Sequence, residues 1–313
     1  KPGRLMTRPG LNDYIQTLQG KGVAAYLYTN PVILDLDHVR QFPDSLAESA
    51  DGTPMFRDYY RNAPMYPAAE TSWGRYLDQM TRRALDQFPQ IDGFFLDELH
   101  WNQFDFAHDD GISARGKRPV AMIGFAVQDA ARRICTAAHD RGKAVWANGA
   151  NTLEVARHID GFMAECSWEW LGSVLYLGLE KPIVLLLSDR WSLSQLADAL
   201  GAALFAAAQP GVIHSAQPEP EQVALLKRYR PLFAMLRGRK WILHPHAITC
   251  EAPALRTNCF VLPAGDFAVT LSGAGGSDYD FRSADGHGLE LDEPRADGGQ
   301  SARLRLQWPG LEQ

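Results

Sequence analysis

Long apolar runs are missing from this 313-residue chain. None approaches the roughly 18 residues that a membrane-spanning helix needs, so no membrane span is expected. Positive charge is also in short supply. Lys and Arg number 31 against 37 Asp and Glu, for a net charge of −6. Such a chain has little with which to neutralise phosphates, and no nucleic-acid partner is expected. Cysteine is scarce, four in all, which excludes a disulfide scaffold at this length. Cys135 sits in an apolar segment and suits the role of a small buried hydrophobe. Cys166 has no base beside it. Cys250 and Cys259 are spaced so that they could bridge two strands. No glycine-rich phosphate loop follows any apolar run, and no low-complexity tract interrupts the chain. The opening Lys1-Pro2-Gly3-Arg4 has neither an initiator Met nor the apolar core of a signal peptide, which is expected of a piece of a longer polypeptide.

What is present is an alternation of strand and helix patterns. A helix over 11–20 closed by Gly22 is followed by a strand, Val23–Asn30. A long connection over 31–70, rich in Pro, Asp and Tyr, leads to a helix over Ser72–Phe88 with Ser72 as its N-cap. Then come a strand Asp92–Asp97, a helix Val120–Asp140 stopped by Gly142, and a strand Ala144–Asn148. A short helix Leu153–His158, a strand Gly161–Glu165, a strand Pro182–Ser188, an Ala/Leu helix over 192–208, a strand Val212–His214 and a helix over 221–237 complete the series. This alternation predicts parallel strands joined by crossover helices. Six strands favour a (β/α)8-type TIM barrel lacking its first two βα units over an open doubly wound sheet, which would carry a phosphate loop. Beyond residue 240 the helical period stops. Short alternating runs at Asn258–Leu262, Phe267–Leu271 and Ala302–Gln307 sit between Gly-rich turns. The expected division is a barrel over 1–239 and a small antiparallel, β-sandwich-like domain over 240–313.

One tetrapeptide occurs twice. Ile91-Asp92-Gly93-Phe94 runs on to Asp97, and Ile159-Asp160-Gly161-Phe162 runs on to Glu165. Each acid lies four residues beyond its Gly, at the carboxyl end of a predicted strand. That end is where barrel enzymes carry their chemistry, whereas Asp92 and Asp160 fall at the opposite end, where such residues serve stability. With one strand between them, the two runs belong to the same alternating set. Asp97 and Glu165 are then expected to face inward at one height. Two such carboxylates match glycoside hydrolysis, in which one attacks or activates water and the other protonates the leaving oxygen. The aromatic sequence after Glu165, including Trp168, suits a raised pKa. Glu165 is therefore the expected acid/base and Asp97 the nucleophile. Glu98 is the rival to Asp97, but neighbours on a strand face opposite ways, and the matched offset favours Asp97.

Other strand ends and loops are polar or aromatic in a way that suits a sugar. Tyr28, Asn30, Asn148, Asp189, Arg190 and His214 can hydrogen-bond hydroxyls. Tyr66, Trp73, His100 and Trp101, with Tyr59 and Tyr60, offer flat faces for a pyranose. His100, Asp105, His108, Asp109 and Asp110 make an acidic loop whose spacing fits no standard metal site. No metal or other cofactor is expected.

On these residues the chain resembles known enzymes. Asp92-Gly93-Phe94-Phe95-Leu96-Asp97-Glu98 is similar to the nucleophile strand of α-galactosidase-like TIM-barrel glycoside hydrolases. Ala164-Glu165-Cys166-Ser167 resembles a segment of the endo-α-1,4-polygalactosaminidases of glycoside hydrolase family 114. That resemblance implies a barrel with Asp97 and Glu165 as the catalytic pair, and it covers residues 23–215. The appended β-domain departs from the second family but is common beside α-glycoside-cleaving barrels. The expected function is cleavage of glycosidic bonds in an oligo- or polysaccharide, with a lean towards export because such enzymes often act outside the cell. Two alternatives stand beside it. One is a non-catalytic glycan-binding protein on a hydrolase-like barrel, and the other is a metal-assisted barrel hydrolase using His100, His108 or His214.

Overall fold

The computed structural model describes residues 8–56, 61–165, 171–188, 191–212, 219–243, 248–250, 255–273, 280–284, 288–292 and 302–306. Six parallel strands form one sheet: β1 (Tyr26–Thr29), β2 (Gly93–Leu96), β3 (Ala144–Asn148), β4 (Gly161–Glu165), β5 (Ile183–Leu187) and β6 (Gln209–Val212). Their order in the sheet is their order in the chain. Crossovers that all wind one way give that order, whereas a doubly wound sheet reverses at a switch point. Helices of the alternating series are α1 (Arg8–Gln19), α2 (Ser72–Gln87), α3 (Ile123–His139), α4 (Leu153–Ala156), α5 (Leu171–Gly178), α6 (Leu193–Phe205) and α7 (Pro220–Met235), and a further single turn lies at Leu36–Val39. Two compact units divide the chain, Lys1–Met163 and Ala164–Gln313.

In the first unit, apolar spacing decides which helix face is covered. α2 buries Trp73, Leu77, Thr81 and Leu85, one residue per turn or so along a single stripe. Thr71, not Ser72, caps this helix, because its side chain accepts from the Gly74 N–H. Ser72 is occupied elsewhere: its N–H donates to Asp44 Oδ2 at 3.0 Å. α3 buries Val127, Ala130, Ile134, Cys135 and Ala138, so Cys135 is the buried small side chain that its apolar surroundings predict. The connection after β1 has a core of its own, with Val39, Phe42, Ala63 and Met65 around Trp73 and Leu77.

The doubled Ile-Asp-Gly-Phe is a structural module. Both Ile and both Phe side chains are fully buried. Each Asp clamps the foot of the preceding strand. Asp92 Oδ2 accepts from the Ala25 N–H at 2.7 Å and Asp160 Oδ2 from the Val145 N–H at 2.7 Å. Gly93 makes room chiefly for the neighbouring strand's backbone and Gly161 for a ring. A Cβ on Gly93 would lie 1.7 Å from the Ala144 carbonyl oxygen and 3.0 Å from the Tyr26 ring, and one on Gly161 would lie 2.6 Å from the Trp146 indole.

In the second unit, β7 (Lys240–Trp241), β9 (Leu255–Val261) and β10 (Phe267–Gly273) form a three-stranded antiparallel sheet. The remaining strands, β8 (Ile248–Cys250), β11 (Asp280–Ala284), β12 (Gly288–Asp292) and β13 (Ala302–Leu306), form a second sheet in the order β8-β13-β12-β11. The bridge that the spacing of Cys250 and Cys259 would allow is not made. Cys259 carries a free, buried thiol, and the two residues fall on strands of different sheets. β6 begins at Gln209 and lies earlier than the strand expected over Val212–His214.

Candidate functional site

Asp97 stands one residue beyond β2, and three strand ends converge on its carboxylate. The Tyr28 hydroxyl, from β1, donates to Oδ2 at 2.6 Å. The Asn148 carboxamide, from the end of β3, donates to Oδ1 at 2.9 Å, and the Glu98 N–H donates to the same oxygen at 2.8 Å. All three partners are donors, which suits a carboxylate that only accepts when ionised. The backbone is tied on both sides as well. The Asp97 N–H donates to the Thr29 carbonyl at 3.0 Å and the Leu99 N–H to the Asn148 carbonyl at 3.2 Å.

Glu98 takes up the turn between them with a φ of 62°. A side chain in the left-handed region costs about 1–2 kcal/mol, and it is held here by its neighbours. Its Oε2 accepts from the Trp101 indole at 2.7 Å. The strained backbone turns Glu98 away from β2, and its N–H becomes one of the three donors to Asp97. Partial desolvation raises the Tyr28 pKa above the usual phenol value, and the hydrogen bond to Asp97 and its charge raise it further. The hydroxyl therefore keeps its proton and its role as donor.

Beneath the carboxylate lies a row of rings. Strand pairing sets Tyr28 beside Phe95 and Phe95 beside Trp146. The Tyr28 and Phe95 rings stack at 6.2 Å and 21°. Phe95 and Trp146 were not among the residues singled out from sequence. The period of two along a strand identifies both, since each lies two residues before a polar strand end, Asp97 and Asn148.

The other candidates separate into those at this cluster and those away from it. Tyr28 is 63% exposed and Asn148 is buried against Asp97. His100 is exposed and lies over Gly149, whose added Cβ would come within 2.6 Å of the imidazole Nδ1. Tyr66, Trp73 and Trp101 are each 5% exposed, so their rings serve as packing rather than as open platforms. The Trp73 indole donates to the Pro31 carbonyl at 2.7 Å. Asn30 turns the chain, its Oδ1 accepting from the Val32 N–H at 3.0 Å and the Ile33 N–H at 2.8 Å. Glu165 is the exposed last residue of β4. Tyr59, Tyr60, Trp168, Asp189, Arg190 and His214 lie outside the described residues.

The acidic loop is tied up internally. Fully buried Asp105 accepts from the Glu48 and Ala107 N–H groups, each at 2.9 Å, and pairs with His108 Nδ1. The other ring nitrogen, His108 Nε2, bonds the Asp44 carbonyl at 2.8 Å. Asp110 accepts from the Ile112, Ser113 and Met122 N–H groups. Among the described residues no group of three His, Cys, Asp or Glu side chains is arranged to hold a metal ion.

No family model matches the chain, and no curated protein matches it. Solved structures do share its fold. The α-N-acetylgalactosaminidase NagBb of Bifidobacterium bifidum superposes with a TM-score of 0.56 at 10% identity, covering 84% of this chain and 43% of that one. The GH36 α-galactosidase AgaA of Geobacillus stearothermophilus, in complex with 1-deoxygalactonojirimycin, gives a TM-score of 0.57 at 11% identity, over 95% of this chain and 46% of that one. A noncanonic maltogenic α-amylase, AmyB of Thermotoga neapolitana, gives 0.54 at 10% identity, over 91% and 71%. The chain spans less than half the length of the first two. Its mixed α/β fold, with a parallel six-stranded sheet followed by antiparallel strands, is shared with these glycoside hydrolases.

Proposed function

We propose that the chain is a glycoside hydrolase with Asp97 as nucleophile and Glu165 as acid/base. The observation that carries this reading is the Asp97 carboxylate, at the carboxyl end of a parallel strand and held by three donors beside a strained turn. Its two side-chain donors, Tyr28 and Asn148, both act on it from neighbouring strand ends. An oriented carboxylate of this kind can attack an anomeric carbon in line.

The strand register supports Glu165 as the partner. Phe95 pairs with Trp146 and Trp146 with Gly161, so Asp97 is level with Asn148 and Met163. Glu165 lies two residues further along, on the same face as Gly161. In a closed eight-stranded barrel of shear 8 the horizontal layer advances about one residue per strand. A two-residue stagger across two strands is then what places two side chains in one layer. In this reading the barrel part ends near residue 239 and the antiparallel strands are an appended module.

The named activities of the structural neighbours direct the substrate search to α-linked galactosides and N-acetylgalactosaminides, then to α-glucans. The test is release of reducing sugar or of a chromogenic aglycone from such a panel. For a substrate that the wild type cleaves, Asp97→Asn and Glu165→Gln should each lower kcat by at least about 10³-fold. Full activity in both variants sinks the assignment. A non-catalytic glycan binder remains the second reading, and the 63% exposure of Tyr28 above a ring floor favours it equally. Binding of a glycan without turnover by the wild type would select it. The metal-assisted reading is disfavoured at His108, since both ring nitrogens already face protein oxygens.

A further inference from the structure

A groove of about 770 Å³ runs between α5, α6 and the three-stranded sheet of the second unit. Two glycines set its depth. A Cβ placed on Gly172 or Gly201 would meet no atom within 4 Å. A helix glycine costs about 1 kcal/mol relative to Ala, and neither of these is required by a close approach of backbone. Both give onto the open space of the groove.

The walls carry mixed chemistry. Trp241 supplies a half-buried indole, and Phe205 lies under the Arg256 guanidinium at 5.5 Å. Arg256 also donates to Ser272 Oγ at 3.4 Å, so neutral groups present this cation. The Asn258 carboxamide nitrogen donates to the Phe205 carbonyl at 3.0 Å, which orients the side chain and leaves its oxygen as an acceptor. Asp198 is an exposed acceptor at the rim.

We infer that this groove binds a neutral saccharide, the Trp241 indole lying along a sugar face while Asp198, Asn258 and Arg256 accept from and donate to its hydroxyls. The charge balance selects this class. One acid and one base line the groove, so an anion would meet Asp198 and a cation would meet Arg256. A purely apolar ligand would strip water from both charges without replacing its hydrogen bonds. A polyhydroxylated ring offers donors and acceptors to each and an apolar face to the indole. None of the lining residues belongs to the Asp97 cluster, so the inference stands whether or not the chain is a hydrolase.

The test is affinity electrophoresis of the full chain through gels containing amylose, galactan, galactomannan, polygalacturonate or chitosan. An Asp97→Asn background prevents loss of polymer. Retardation is expected in a neutral gel. Gly201→Leu should weaken it at least tenfold while leaving the melting temperature unchanged or raised, since Leu fills open space and is the better helix former. Trp241→Ala should weaken it too. Retardation that survives Gly201→Leu, absence of retardation in every neutral gel, or retardation by the charged polymers alone overturns the inference.

Discussion

Of the three donors on Asp97, the Tyr28 hydroxyl is the one that can be removed with the least disturbance, because its ring is exposed and the rest of the strand stays paired. Tyr28→Phe should reduce kcat about tenfold on a cleaved substrate, the low end for a hydrogen bond to a charged group because solvent partly replaces it. Its melting temperature should stay near the wild-type value. A rise in KM with kcat unchanged would instead mean that Tyr28 contacts substrate. The sequence made Tyr28 and Asn148 conspicuous as polar residues at strand ends, and it suggested sugar hydroxyls as their partners. The structure gives them to Asp97. Chain position announces that a residue sits at a strand end, but which neighbour it meets depends on register, and register is a property of pairs of strands. The same holds for Gly93 and Gly161. Their spacing was visible, while their reason, the Ala144 carbonyl beside Gly93 and the Trp146 ring beside Gly161, needed the lateral pairing.

At the scale of elements, strands and helices were legible because apolar runs and helical periods are local. Ala144–Asn148 and Gly161–Glu165 match the expected bounds residue for residue. The aromatic loops were harder to read, because an exposed platform and a loop with its own core have the same composition. Tyr66 stacks on His108 at 4.5 Å instead of facing outward, and His108 pins the 100–122 segment to Asp44. Burial alone would lower the His108 pKa. The bonds to Asp105 and to the Asp44 carbonyl, with the charges of both acids, outweigh it and raise the value above the usual 6.5. A histidine raised on folding stabilises fully below its unfolded pKa, and that contribution is lost as pH rises through the folded value. The wild-type melting temperature should therefore fall as pH is taken upward from about 6.5. His108→Gln should start lower and lose this slope. Equal slopes in the two proteins, measured by thermal scans across the range, would assign the effect to other groups.

Across the whole molecule, the unreversed strand order is the fact that most restricts function. It removes the crevice at a switch point where doubly wound sheets bind their ligands, and in the proposed reading the carboxyl ends of the strands carry the chemistry. Asp97 is there. The second unit solves a different problem, the carbonyls of the turns that follow two helices. Leu179 and Ala207 follow the ends of α5 and α6 with φ of 43° and 48°, and both turn their carbonyls to one side chain. Arg239, only 3% exposed, donates to the Leu179 and Lys181 carbonyls at 2.9 and 3.0 Å and more loosely to Ala207 at 3.4 Å. Its guanidinium also lies over the Phe260 ring at 5.8 Å. Burial lowers its pKa to about 10, a cost that the carbonyl ends of two helices offset through their partial negative charge. Arg239→Ala would remove three hydrogen bonds to these carbonyls and should cost about 2–4 kcal/mol. Arg239→Lys should recover only part of this, because an ammonium group cannot span carbonyls spread along a planar fork. Urea unfolding of the three proteins checks the order: wild type most stable, then Lys, then Ala. A lysine variant as stable as the wild type would mean that charge alone, not the geometry of the fork, joins the two helix ends.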